Sequence, residues 1–278
     1  MQQPRRMPWG RPCGSRHPST PRAVEIEMPR RAALCCADPV NSPTEDEFRA
    51  LARSAPWLFT TLHFTHRRRD GRGATQAWLS RPGRLRVRLA DGREHVQLST
   101  PWNNGRIIRD GREFEDIRPW AQQFNPTWRP DGLVAERPAD PRLDADDPIW
   151  GSYDWVAMLD PEELSHHTHV TDLATTSREG RETWWAEVAA DDGYQPRCGC
   201  CPLLWGAISE RDEGAAGGPT WIHHHPDVDY PTAWLIGLDR QTGIVVDCTP
   251  IGGDRPDSGF IVTIHEVDDP MPDALFVG

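Results

Sequence analysis

The chain has 278 residues, with 31 basic against 42 acidic side chains for a formal net charge of −11, and a mean hydropathy of −0.66. No run approaches the roughly 18 apolar residues of a membrane-spanning helix. Every basic residue is Arg, which excludes a catalytic or Schiff-base lysine and a standard P-loop. Charge is uneven: residues 1–110 hold 20 Arg against 10 acids, residues 111–278 hold 11 against 32. The acidic part argues against nucleic acid as a main partner. The 27 Pro and 23 Gly predict short elements with many turns rather than a long-helix bundle.

Residues 1–41 combine Pro, Arg and Ser without periodicity and read as a disordered leader. The patch Ala32 to Ala37 is too short for the apolar stretch of a secretory signal, so the sequence as written predicts a cytoplasmic protein. Order is expected from Ser42-Pro43-Thr44-Glu45, with Ser at N-cap, Pro at N1 and Glu at N3. Phe48, Leu51, Ala52 and Ala55 then recur at helical spacing until Pro56.

After Pro56 the period changes from about 3.6 to 2. Leu62 to His66, Ala74 to Ser80, Arg84 to Leu89 and the segment around Val96 and Leu98 predict four antiparallel strands. Their turns fall at Asp70-Gly71, Arg81-Pro82-Gly83 and Asp91-Gly92. Residues 101–148 read as long loops with small irregular elements. Ser152 to Leu159 predicts a short helix, and Asp160-Pro161-Glu162-Glu163 the start of another turn. Val170–Thr176 with Glu182–Ala189, and Trp234–Leu238 with Ile244–Val246, predict two hairpins, and Phe260–Val267 a last strand. Residues 206–220 read as a flexible surface loop. The fold class is therefore α+β: one domain over 42–278, a curved antiparallel half-barrel sheet with one longer and one or two short helices on its concave face.

The run Gln76-Ala77-Trp78-Leu79-Ser80-Arg81-Pro82-Gly83-Arg84-Leu85-Arg86-Val87 resembles the second and third strands of the LolA-type lipoprotein carriers and their RseB-like relatives. Gly237 to Val245, with its Asp-x-x-Thr-Gly hairpin, is similar to a later hairpin of that superfamily. The two phrases cover about two dozen residues. The resemblance implies an open half-barrel that holds lipid chains, with Trp78, Leu85, Val87 and Leu89 as ligand-wall candidates. It also implies a regulatory alternative, in which the same sheet senses a protein partner.

The sharpest chemical feature is Arg197-Cys198-Gly199-Cys200-Cys201-Pro202. In an extended segment Cys198 and Cys200 would share one face and Cys201 the other, so two thiolates could chelate one ion. A zinc site would recruit Cys248, or His223-His224-His225. Seven Cys cannot all pair within one chain, and Arg197 beside Cys198 could activate a thiol. The rows Arg84, Arg86, Arg88 and His166-His167-x-His169 read foremost as solvated faces. No Gly-x-Ser-x-Gly, His-Glu-x-x-His or Gly-x-Gly-x-x-Gly occurs. The expected function is therefore a non-catalytic binding protein for an apolar molecule or lipid chain held between helix and sheet. The alternative is a metal- or redox-dependent protein using Cys198, Cys200, Cys201 and Cys248.

Overall fold

A computed structural model describes residues 42–99, 102–109, 112–118, 120–138, 147–218, 220, 222 and 225–277, with backbone alone over 102–118. All of them belong to the unit Cys36–Gly278. The expected leader 1–41, with Cys13, Cys35 and Cys36, lies outside the described residues, as do His223 and His224.

Helix α1 spans Glu45–Leu58. Its capping box sits two residues beyond the expected one. Thr44 Oγ1 accepts the Glu47 N–H at 3.2 Å, and the Glu47 carboxylate accepts the Thr44 N–H at 2.7 Å. The sequence holds two overlapping phrases, Ser42…Glu45 and Thr44…Glu47. The second places Glu45, Asp46 and Glu47 together in the first turn, beside the positive end of the helix. The helix also runs through Pro56 to Leu58. The carbonyl of Ala55, in that last turn, is taken by Arg81 Nη1 at 2.7 Å.

The first meander follows as β1 (Thr61–Arg68), β2 (Ala74–Ser80), β3 (Arg84–Leu89) and β4 (Glu94–Leu98). Where loops were expected, β5 (Trp102–Arg109) pairs with β6 (Arg112–Arg118), and β7 (Thr127–Trp128) with β8 (Val134–Glu136), as two small separate sheets. Helix α2 (Asp154–Leu159) and a 3-10 turn (Glu162–Ser165) lead into β9 (Thr168–Arg178) and β10 (Arg181–Ala190). Helix α3 (Ala207–Ala215) occupies the segment read as a surface loop. It carries a single large apolar side chain, Ile208, so no helical stripe could be seen in the sequence. Strands β11 (Ala233–Asp239), β12 (Val245–Ile251) and β13 (Phe260–Val267) complete the second meander, before a 3-10 turn at Asp273–Phe276.

All strands but the two small pairs form one open nine-stranded sheet, in the order β4-β3-β2-β1-β13-β12-β11-β10-β9. The two meanders meet where β1 pairs antiparallel with β13, Leu62 opposite Val267 and Phe64 opposite Ile264. Each strand pair adds roughly 20–25° of twist, so a sheet this wide curves. The α+β class and the curved antiparallel sheet are as expected.

Register decides the faces. Leu79 stands opposite Leu85 and Ala77 opposite Val87, and these join Leu62, Phe64, Val262 and the apolar side of α1 in one core. Trp78 stands opposite Arg86, on the other face.

Candidate metal centre and its cavity

The loop between β10 and α3 is shaped by a buried carboxylate. Glu163, in the 3-10 turn, accepts the Arg197 N–H at one oxygen and the Leu203 N–H at the other, both at 2.9 Å. It thereby holds both ends of the cysteine segment. Tyr194 donates its hydroxyl to the same carboxylate and accepts the Leu204 N–H at 3.2 Å. Burial pushes the Glu163 carboxyl above its usual range, against the pull of these donors. At the start of the segment, burial alone would raise Asp160, but Arg137 and Arg197 outweigh it and hold that carboxyl low.

Between these anchors the chain makes a tight turn, with the Cys201 N–H donating to the Cys198 carbonyl at 3.2 Å. The extended reading of the segment is corrected here. A turn, unlike a strand, folds residues i, i+2 and i+3 toward one another. The sulfurs of Cys198, Cys200 and Cys201 all lie within 4.8 Å of one another, with Cys198 to Cys200 at 2.9 Å and Cys200 to Cys201 at 3.6 Å. Zn–S bonds of about 2.3 Å in a tetrahedron require sulfurs roughly 3.8 Å apart. The Cys200–Cys201 spacing is already close to that, and the Cys198–Cys200 pair needs to open by about 0.9 Å on the same geometry.

Arg197 is engaged with Asp160. Its guanidinium pairs with Asp160, and its Nε donates to the Asp160 carbonyl at 3.2 Å. The hydrogen bond with Cys198 raises Cys200, and burial raises Cys201, which also accepts the Tyr153 N–H. Cys248 is not in the three-sulfur group. It lies on β12 with its Sγ donating to the Leu203 carbonyl at 3.7 Å, and burial pushes its thiol well up.

Cys248 and two of the clustered cysteines, Cys200 and Cys201, line one cavity of about 450 Å³. Its apolar wall comes from Leu203, Trp205, Trp234 and Phe260, and its polar wall from Arg68, Asp154 and Glu210. Arg68 Nη1 meets Asp154 at 2.9 Å. That ion pair also borders a second cavity of about 630 Å³, lined by His66, Leu89, Trp150 and Trp155 among others.

The expected ligand wall is divided by the fold. Leu85 and Val87 are packed into the core, each 1% exposed, and Leu89 reaches the second cavity. Trp78 faces away from all three, stacked on His63 at 4.8 Å with the Arg88 guanidinium over its ring. Strand alternation separates position 78 from the partners of 85 and 87, so the four cannot form one wall. Each Arg of the row beside it has an internal carboxylate partner. Arg84 pairs with Asp273, Arg86 and Arg88 with Glu94, and Arg86 Nη1 also donates to the Leu275 carbonyl at 2.8 Å. His166, His167 and His169 are exposed, and neither they nor His225 join a metal-ligand group among the described residues.

Sequence reasoning missed Glu163, Tyr194 and the α3 residue Glu213. Glu163 was read as a helix-start residue, and no local pattern distinguishes an exposed Glu at such a position from one folded under a loop. No protein-family model matches the chain, and no curated protein matches it. Among the described residues no helix is long and apolar enough to cross a membrane.

Proposed function

We propose that this is a metal-binding protein in which Cys198, Cys200 and Cys201 hold a thiophilic divalent ion, with zinc the first candidate. The reading is carried by one observation: three sulfurs from four consecutive residues converge within 4.8 Å of one another. Thiolates are the preferred donors of zinc and of softer ions. The Glu163 clasp supports it, because a site whose ligands are positioned by buried hydrogen bonds loses less entropy on binding. The ion would cross-link the turn that forms one wall of the 450 Å³ cavity.

That cavity favours a second reading, a small apolar ligand held between Trp205, Trp234 and Phe260. This keeps the binding-protein expectation and the resemblance to lipoprotein carriers, but moves the wall from β2 and β3 to β11–β13. Native mass spectrometry of protein purified under reducing conditions tests both. The expected result is one zinc per chain, lost in the triple variant C198S/C200S/C201S while far-UV circular dichroism is unchanged. An organic mass excess that survives in the triple variant would favour the second reading. A bare polypeptide mass after incubation with zinc would end the first.

A further inference from the structure

We propose that Glu213 is the fourth ligand of the ion held by Cys198, Cys200 and Cys201, and that it selects zinc-like divalent ions over monovalent soft ones. The inference rests on the three-thiolate reading above. Three thiolates leave a tetrahedral dication one donor short, whereas a trigonal all-sulfur set suits a soft monovalent ion such as Cu(I). The question is what stands beside the turn to supply the fourth donor.

Helix α3 returns over the cysteine turn and lays the Glu213 carboxylate between two glycines. A Cβ on Gly199 would fall on Glu213 Oε2, and a Cβ on Gly218 would fall on Oε1, each far inside contact distance. Gly199 is the residue between Cys198 and Cys200, so the carboxylate lies over the backbone that carries the sulfurs. Its φ is not in the left-handed region that requires glycine. The missing side chain at 199 therefore serves to admit the carboxylate rather than to allow the turn. Among the described residues nothing donates a hydrogen bond to this carboxylate or pairs with it as a cation. Other carboxylates around the loop are engaged: Asp160 by Arg137 and Arg197, Glu163 by two N–H groups and a hydroxyl, Glu210 by the Trp205 indole at 2.8 Å. The Glu213 oxygens lie outside the 4.8 Å sulfur group but against the Gly199 backbone between two of its members, so the carboxylate is placed to turn toward a cation held there. Side-chain torsions of Glu213 are the movement required, because the backbone contact with Gly199 is already made.

The test uses the reduced full-length chain and competition for Zn2+ and for Cu(I) against chromophoric chelators. The expected result is that E213Q weakens Zn2+ by at least about tenfold, the scale reached by losing even an outer-shell partner. Cu(I) affinity should stay within about threefold, since the sulfur donors Cu(I) prefers are untouched. Co2+-loaded samples report whether the thiolates still bind, through the sulfur-to-cobalt charge-transfer band. If E213Q binds Zn2+ as tightly as the unsubstituted chain, the fourth-ligand proposal is overturned and the three-thiolate reading stands. If the unsubstituted chain binds no Zn2+ and shows no such band, both fall together.

Discussion

At the residue scale, buried Glu163 and half-buried His66 carry consequences that their sequence neighbours do not announce. Glu163 holds Arg197 and Leu203 by their N–H groups and takes the Tyr194 hydroxyl. Replacing it with Gln keeps the volume but leaves one oxygen to serve donors that had two. We expect Glu163→Gln to cost about 1.5–3 kcal/mol in urea unfolding, the range for hydrogen bonds to a charged group. If the clasp positions the thiols, the same variant binds zinc more weakly. His66 lies among the rings of Trp155 and Phe260, and burial pushes its pKa from 6.5 down to about 4. The unfolded chain therefore takes up a proton between pH 6.5 and 4 that the folded chain refuses. Stability is complete above pH 6.5, falls as pH drops toward 4 and levels off below it. The shift corresponds to about 3 kcal/mol. Urea midpoints from pH 7 to 4.5 for the wild type and His66→Phe should diverge with that slope; parallel curves would remove His66 from the account.

Elements are ruled by how far each carries its own signal. The hairpin joining β11 and β12 was legible because Thr242 and Gly243 complete a turn that is self-contained. Asp239 accepts from the Thr242 N–H at 2.9 Å and the Thr242 hydroxyl at 2.8 Å, and Gly243 has φ +72°. The same glycine touches α1: a Cβ there would stand 2.8 Å from the Leu51 carbonyl oxygen. Gly243→Ala then combines left-handed strain of about 1–2 kcal/mol with a clash against helix backbone. A thermal or urea scan should show a loss of at least that size. A variant as stable as the wild type would mean that α1 shifts freely over the hairpin. Helix α3 is the opposite case. With Ile208 as its one large apolar residue and a glycine at its N-cap, the helix has no stripe to be read. Its contacts include the Trp205 indole donating to Glu210 at 2.8 Å and Arg211 donating to Asp192 at 2.9 Å, neither of them an apolar stripe.

At the scale of the whole molecule, β13 is the seam. It pairs with β1 on one edge and β12 on the other, and Asp268 just beyond it accepts the Thr60 N–H at 2.7 Å. Removing residues 260–278 would leave β1 and β12 with unpaired edges and the core without Phe260, Val262 and Ile264. We expect that truncation to abolish cooperative unfolding followed by far-UV circular dichroism, whereas removing only 270–278 leaves a cooperative but less stable fold. Retained cooperativity in the longer truncation would show that the meanders stand alone. The alternation of β2 and β3, the turns at Asp70-Gly71 and Asp91-Gly92, the first helix though not its cap or its end, and the strand at Phe260–Val267 were legible in the chain. Each depends on side chains within a few residues of one another. Sequence also singled out Cys198, Cys200 and Cys201, because three thiols in four residues are conspicuous wherever they fall. The fold was needed to place Trp78 away from Leu85 and Val87, since that follows from strand pairing. It alone decided that the cysteine segment is a turn held by Glu163 and overlain by Glu213, and that Cys248 lines the adjoining cavity outside the sulfur group. Glu163 and Arg197 stand 34 positions apart, and no local spacing encodes a contact made by packing one element across another.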